Sequence, residues 1–296
     1  MRLVRDLVRV RVPATSANLG PGFDALGLAL GVWDEVSVRA VAGETTVRVT
    51  GEGAGELPDD EAHLVVRALR AGLEHAGAPQ AGLELVCHNA IPHGRGMGSS
   101  AAAVVAGLVA ARGLVSEPEA LDDDAVLALA TQIEGHPDNA APALFGGATA
   151  AWVDADGPHA AAIPLDDAFT PTVLVPVDQL LTHTARAVLP GEVPHRDAAF
   201  NVARTALLVL ALGGRRDLLM AGTQDRLHQH YRADAMRGTA EAVRALREAG
   251  WPAVVSGAGP SVLVLDDLDD RTAQALTSHG WRVLRPGIAR TGAYLY

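Results

Sequence analysis

One segment, residues 92–112, constrains the fold of this chain more than any other. Glycines alternate with other residues in 92–100, and residues 101–112 are almost all alanine, valine or leucine. The second stretch has no polar face, so it predicts a helix buried on most sides. Glycines before a helix allow positive φ angles and bring backbone N–H groups close to a ligand. The segment therefore predicts either a phosphate site or a plain glycine turn that caps a core helix.

The chain contains no lysine, because all 24 of its Lys and Arg residues are arginine. This excludes Walker-type phosphate loops, protein kinases, and Schiff-base or pyridoxal enzymes, each of which needs a lysine amine. The net charge of −11 disfavours nucleic acid and anionic membranes as partners. Any phosphate group must then be bound by local groups.

The length of 296 residues, 49% of them hydrophobic, suffices for one large or two medium domains. No apolar stretch approaches the roughly 20 residues that cross a bilayer, so we expect a cytoplasmic protein. The single cysteine, Cys87, excludes an internal disulfide and lies in an apolar strand-like run. We interpret it as a buried small hydrophobe rather than a nucleophile.

Hydrophobic spacing predicts strands and helices without regular alternation, which favours an α+β fold over a doubly wound sheet. The predicted strands are 7–12, 36–41, 45–50, 83–88, 148–153, 172–177, 253–255 and 262–265, and the predicted helices are 61–75, 101–112, 122–134, 198–212, 217–228 and 239–249. Strands 36–41 and 45–50 read as a hairpin across Gly43. A turn cluster at 154–158 precedes a new strand, and we place a domain boundary between 1–165 and 166–296.

The sequence Pro-x-x-x-Gly-Met-Gly-Ser-Ser-Ala-Ala, which starts at residue 92, resembles the ATP-binding motif of the GHMP small-molecule kinases. Residues 13–24 and 256–261 resemble two further motifs of that family, in the family's order. The resemblance implies a two-domain GHMP kinase fold, with an N-terminal ribosomal protein S5 domain 2-like part that binds ATP and a C-terminal ferredoxin-like α/β sandwich. It assigns ATP contacts to Pro92, His93, Gly94, Arg95, Gly96, Met97, Gly98, Ser99, Ser100 and Ala101.

The form Asn-Leu-Gly-Pro-Gly-Phe-Asp at residues 18–24 resembles the homoserine kinase branch of that family. By this likeness Asp24 binds the amino group of the substrate and Asn18 adds a polar contact. Both residue types are also common turn formers. The branch often has Asn-Leu-Val where this chain has His-Leu-Val, so His63 is assigned to the adenine pocket in place of the asparagine.

The polar loop at residues 134–139 is either a solvated loop or part of the site. The resemblance makes Glu134 a Mg²⁺ ligand together with Ser100, and it assigns His136 and Asn139 to the substrate. Asn139 would contact the substrate hydroxyl.

Arginines later in the chain complete the predicted substrate site. Thr182 and Arg186 match a Thr-x-x-x-Arg stretch of the homoserine kinase branch, and Arg232 matches its substrate-carboxylate segment. Gly257 lies in the third motif, which is otherwise a tight turn. A guanidinium offers a planar fork suited to a carboxylate, although isolated arginines usually lie on solvated surfaces.

The resemblance implies transfer of the γ-phosphate of ATP to L-homoserine in threonine biosynthesis, with Mg²⁺. Asn139 and Asp24 are the predicted catalytic residues, in a mechanism of positioning and charge neutralisation. Asp138 is a candidate base by residue type alone. The alternatives are another GHMP-type kinase, for mevalonate, shikimate or diphosphocytidyl-methylerythritol, and a non-catalytic ligand sensor on the same fold. Family members often form dimers, so a homodimer is compatible with the resemblance.

Overall fold

A computed structural model describes residues 1–180 and 182–296, which form two β-sheets and their covering helices. The strands are β1 Leu7–Ala17, β2 Leu26–Val41, β3 Thr46–Gly51, β4 Gly82–Asn89, β5 Ala148–Asp154, β6 Gly157–Ile163, β7 Thr172–Val175, β8 Ala253–Val255, β9 Val262–Val264, β10 Arg282–Leu284 and β11 Tyr294–Leu295. The helices are α1 Leu64–His75, α2 Ser99–Leu114, α3 Asp123–Glu134, α4 Ala140–Phe145, α5 Thr182–Ala187, α6 His195–Leu212, α7 Leu219–Gly222, α8 Gln229–Arg232, α9 Arg237–Glu248 and α10 Asp270–Ser278.

The first sheet has the strand order β11-β1-β2-β4-β3, and β5 pairs with both β2 and β6. The predicted hairpin across Gly43 is wrong, because β4 lies between β2 and β3. Strand β3 runs parallel to β4, and α1 connects the two. Parallel neighbours need such a crossover, which a local reading of two adjacent alternating runs does not reveal.

Helix α2 is the central element of the larger hydrophobic core, which confirms its predicted burial. Twelve of its sixteen residues are buried, and it packs on α1, α3 and β1. Gly107 allows the close approach of α1, since a Cβ there would overlap the carbonyl oxygen of Val65. The start of α2 is therefore held rigidly, as a ligand site at a helix N-terminus requires.

The second sheet is antiparallel, with the order β10-β7-β9-β8. Numbered along the chain from β7, this order is 4-1-3-2, with helices after the first and third strands. That is the β-α-β-β-α-β arrangement of ferredoxin-like folds. The α+β expectation is confirmed.

The predicted helix at 217–228 is shorter in the structure: a 3-10 turn at Arg216–Leu218 leads into α7, which ends at Gly222, and a loop follows. The Asp225 carboxylate accepts the backbone N–H groups of Leu227, His228 and Gln229. An aspartate side chain competes in this way with helical backbone hydrogen bonds, so the helix does not continue through it.

The boundary between 1–165 and 166–296 stays a prediction. Strands β6 and β7, on either side of it, lie in different sheets, while β11 at the end of the chain pairs with β1. Among the residues that the structure describes, no helix combines the length and the apolar character of a membrane span.

Asp34 on β2 fixes the backbone just before the glycine-rich segment. Its Oδ1 accepts the N–H groups of Ala90 at 2.7 Å and Ile91 at 2.9 Å. Burial raises the pKa of Asp34 to about 6, against the lowering effect of these two hydrogen bonds. Burial, with a smaller contribution from Asp34, raises the pKa of the Cys87 thiol to about 12. Cys87 is thus a buried neutral thiol, as predicted.

Asp34→Asn is expected to raise the melting temperature at pH 7. The folded chain binds a proton at Asp34 near pH 6, whereas an unfolded aspartate binds one near pH 4, so stability falls as pH rises between these values. Ionised Asp34 would cost up to about 3 kcal/mol above pH 6. Asparagine keeps an oxygen acceptor for both N–H groups and carries no charge.

Thermal melts from pH 4 to 8 test this expectation, with the exposed Asp6 replaced by asparagine as the control. The gain of Asp34→Asn over wild type should grow from pH 4 to pH 6 and then level off. A lower melting temperature of this variant at pH 7 would contradict the expectation.

Candidate active site

The glycine-rich segment forms a loop whose glycines adopt left-handed backbone angles. The φ angles of Gly94, Gly96 and Gly98 are 64°, 69° and 69°, and Gly98 is the N-cap of α2. A side chain at these positions would be strained. The loop and the first turn of α2 face a cavity of about 450 Å³.

Most of the predicted site residues line this one cavity, although they come from both halves of the chain. They are Asn18, His93, Gly94, Arg95, Gly96, Gly98, Ser99, Ser100, Ala101, Glu134, His136, Asn139, Arg186, Arg232 and Gly257. Met97 and Pro92 are buried. Larger cavities exist among the described residues, but the loop glycines do not line them.

Arg95 connects the loop to the second sheet rather than extending freely into the cavity. Its guanidinium donates to the carbonyls of Pro176 at 3.0 Å and Val177 at 2.8 Å. The hydroxyl of Ser256 contacts the carbonyl of Gly96 at 2.6 Å. The glycine-rich loop is therefore in direct contact with the motif at residues 256–261. Because the Arg95 guanidinium is already used, a phosphate would be bound mainly by backbone N–H groups.

Ser100 and Glu134 meet at the entrance of the cavity. The Ser100 hydroxyl donates to Glu134 Oε1 at 2.6 Å. Burial raises the pKa of Glu134, and the Ser100 hydrogen bond opposes this effect. A hydroxyl and a carboxylate are the oxygen ligands that Mg²⁺ uses beside phosphates, so the pair fits the predicted metal site.

Asn139 is oriented by Thr15, a residue to which the sequence motifs give no role. The Thr15 hydroxyl donates to Asn139 Oδ1 at 2.8 Å, and the Thr15 N–H donates to the Met97 carbonyl at 3.0 Å. Thr15 is fully buried. Because its oxygen is occupied, Asn139 has an amide N–H, rather than an acceptor, to offer to a ligand.

Asp138 is buried and pairs with His136 at 2.5 Å. Burial by itself would lower the pKa of His136, but the hydrogen bond and the charge of Asp138 outweigh it and raise that pKa. The Asp138 carboxylate is also 3.5 Å from the amide nitrogen of Asn139. Its Oδ1 thus contacts two predicted substrate residues.

Asn18 connects the motif at residues 13–24 to the motif at residues 256–261. Its amide nitrogen donates to the Gly257 carbonyl at 2.9 Å, and its oxygen accepts the N–H of Asp24 at 3.0 Å. The φ angles of Asn18 and Asp24 are 68° and 55°, in the left-handed region that non-glycine residues rarely adopt. The side chain of Asn18 therefore stabilises an unusual loop that presents Asp24.

Asp24 and Arg186 form a two-pronged ion pair, with oxygen to nitrogen distances of 2.6 and 3.1 Å. Burial would lower the pKa of Arg186, and the paired Asp24 outweighs this and raises it. Two predicted substrate-binding groups thus face each other beside the cavity. Thr182 begins α5, and its side chain lies outside the described part of the chain.

Arg232 is almost fully buried, at 1% exposure. Its Nε donates to the Ala185 carbonyl at 3.0 Å, and its Nη1 is 3.0 Å from His228 Nδ1 and 3.4 Å from the Gly257 carbonyl. The guanidinium carbon is 5.6 Å from the centre of the Phe23 ring. These contacts fix the cation in one orientation at the wall of the cavity.

His63 is the N-cap of α1, and its Nδ1 accepts the N–H of Val65 at 3.3 Å. Burial lowers its pKa. Within the part of the chain that the structure describes, His63 is not among the residues that line the 450 Å³ cavity. Its assignment to the adenine pocket stays a prediction.

Known proteins resemble this chain over almost its whole length. A homoserine kinase of Streptomyces coelicolor is 53% identical over 288 residues, which are 97% of this chain and 93% of that protein. One of Clavibacter michiganensis is 57% identical over 260 residues, 87% of this chain and 82% of that protein. The chain belongs to the homoserine kinase family. Family models described as GHMP kinases N terminal domain and GHMP kinases C terminal match residues 63–147 and 206–280.

Solved structures agree with membership of the homoserine kinases. The crystal structure of the homoserine kinase from Cytophaga hutchinsonii has a TM-score of 0.82 at 27% identity and covers 99% of this chain and 98% of that chain. The L. major mevalonate kinase, with a TM-score of 0.70 at 15% identity over 98% of this chain and 99% of that chain, shares the fold. The predicted family and two-domain fold are confirmed, and the roles of individual residues stay predictions.

Proposed function

We propose that this chain phosphorylates the δ-hydroxyl of L-homoserine with ATP, giving O-phospho-L-homoserine for threonine biosynthesis. One observation supports this most: the glycine-rich N-terminus of α2 lines the same cavity as Arg186 and Arg232, and Arg186 is paired with Asp24. The 53% and 57% sequence identity to two homoserine kinases supports the same conclusion.

The charges of the site match an amino acid. The Asp24 carboxylate would bind the substrate ammonium, and Arg186 and Arg232 would bind its carboxylate. Mevalonate and shikimate have a carboxylate but no ammonium, and diphosphocytidyl-methylerythritol has neither. Only an amino acid alcohol uses all three groups, which favours homoserine over the other GHMP-type substrates.

The phosphates of ATP would lie along the loop and the first turn of α2. Backbone N–H groups of residues 96–101 and the helix dipole supply the positive potential there, without a lysine. Ser100 and Glu134 would hold Mg²⁺, which supplies charge neutralisation at the β- and γ-phosphates when bound. We keep His63 as the proposed adenine residue.

Asn139 would hold the substrate hydroxyl in line with the γ-phosphate. Asp138 pairs with His136, so we assign it a positioning role rather than that of a free base. Phosphoryl transfer depends mainly on alignment and charge stabilisation, and the loose transition state needs little proton abstraction. The proposal therefore includes no dedicated general base.

ADP release with homoserine, serine, threonine, mevalonate and shikimate tests the proposal. Homoserine should give the highest kcat/KM, and substrates without the ammonium should fall by about 10²-fold or more because Asp24 is left unpaired. Faster turnover of mevalonate would overturn it. Binding of ATP and homoserine without ADP release would instead favour the alternative of a non-catalytic ligand sensor on the same fold. A cytoplasmic location and a homodimer complete the proposal.

A further inference from the structure

We infer that His228 is a positioning residue that orients Arg232 for the carboxylate of the substrate. The inference rests on the proposed function, because it assigns Arg232 the role described there. None of the three sequence motifs contains His228. Its contacts connect the loop at residues 18–24, which carries Asp24, to the buried guanidinium of Arg232.

The imidazole of His228 is fully buried and has two hydrogen-bond partners, and its Nε2 lies 3.7 Å from Asp225 Oδ2. Its Nδ1 is 3.0 Å from Arg232 Nη1, and its Nε2 is 2.8 Å from the carbonyl oxygen of Gly20. A guanidinium only donates and a carbonyl only accepts, so Nδ1 accepts and Nε2–H donates. These two partners require the neutral ring in one tautomer.

The ring is itself held from two sides. Asp225 fixes the backbone at His228 by accepting its N–H at 3.2 Å, and it also accepts the amide of Asn201 at 2.9 Å. On the other side the imidazole stacks on Phe23, with ring centres 5.1 Å apart. Phe23 directly precedes Asp24, so one cluster supports the proposed ammonium and carboxylate sites together.

These contacts leave one nitrogen of the Arg232 guanidinium, Nη2, for a ligand. Its Nε is used by the Ala185 carbonyl and its Nη1 by His228 and Gly257. Within the described residues, Nη2 has no hydrogen-bond partner, and Arg232 lines the cavity. Without an acceptor at the His228 Nδ1 position, the guanidinium could rotate and the carboxylate would lose a fixed donor.

Protonation of His228 would remove that acceptor and place a cation against Arg232. The charged groups that act on the ring are Arg232 on α8, Asp225 before it and Asp24 in the loop at 18–24, and Arg186 on α5 acts on Arg232. Burial lowers the pKa of His228, with a raising contribution from Asp225, so the ring is neutral at neutral pH. The KM for homoserine should therefore rise only on acidification.

Two variants separate the roles of the ring nitrogens. His228→Asn keeps an oxygen acceptor near the Nδ1 position, whereas His228→Gln reaches the Nε2 position and leaves Arg232 without its acceptor. We expect a rise in homoserine KM of about 10-fold or more for His228→Gln and of less than about 3-fold for His228→Asn, with the KM for ATP nearly unchanged in both. The exposed His230, replaced by asparagine, is the matched control and should behave as wild type.

An unchanged homoserine KM in His228→Gln, or equal rises of both KM values, would overturn the inference. If His228→Gln does not fold, long-range ¹H–¹⁵N spectra of histidine-labelled wild type decide, with the His228 signal assigned by its loss in His228→Asn. An Nε2–H tautomer at neutral pH that responds to homoserine supports the inference. An Nδ1–H tautomer or an imidazolium overturns it. A wild-type enzyme inactive on homoserine would instead refute the proposed function.

Discussion

Gly98→Ala is expected to lower kcat/KM for ATP by about 10³-fold or more. A Cβ at this position would overlap the hydroxyl of Thr15 and lie 3.1 Å from Asn139 Oδ1. The φ angle of 69° adds strain of about 1–2 kcal/mol for a non-glycine residue. Relief of the overlap would move either the phosphate loop or the Thr15–Asn139 pair, and both are needed for alignment.

Steady-state ADP release and calorimetric ATP binding measure this effect. Gly280→Ala is the matched control, since Gly280 has a φ angle of 89° and nothing within 4 Å of an added Cβ. It should share the backbone strain and keep full activity. Wild-type kcat/KM in Gly98→Ala would show that the loop accommodates a side chain, against the geometry.

Asn139→Ala is expected to lower kcat by about 10²- to 10³-fold, with the KM for ATP changed by less than about 3-fold. The variant removes the amide that would hold the substrate hydroxyl but leaves the phosphate loop intact. Thr15→Val, which keeps the shape and removes only the hydroxyl, should lower kcat less, by about 10-fold, because Asn139 remains but is no longer oriented.

Single-turnover ADP formation separates this chemical step from product release. An unchanged kcat in Asn139→Ala would remove Asn139 from the mechanism. A Thr15→Val loss as large as that of Asn139→Ala would indicate that the Thr15 side chain acts on the loop as well, through its close packing against Gly98.

The phosphate loop and α2 could be predicted because their signals are local. Alternating glycines and an apolar helix define the backbone and its burial within about twenty residues. Strand β4 could not be placed beside β2, because strand order depends on contacts between distant segments. The loop after α7 was missed for another reason: a single carboxylate, Asp225, overrides a helical pattern.

In the candidate site, too, some features could be predicted from the sequence and others could not. Motifs nominated the groups that line the cavity, but they could not indicate which of these groups bind one another. The contact of Asn18 with Gly257, and of Thr15 with Asn139, joins residues more than a hundred positions apart. His228 carried no signal of its own, since its importance lies in the two buried partners that the fold gives it.

The ion pair between Asp24 and Arg186 has a consequence for selectivity in the proposed site. Each of these charges has the other as its counter-ion, so an entering molecule must exchange both partners at once. A zwitterion can do this and restore neutrality on each side. A simple amine would leave Arg186 without a counter-ion, and a simple carboxylic acid would leave Asp24 without one. The site would therefore reject both without any steric barrier.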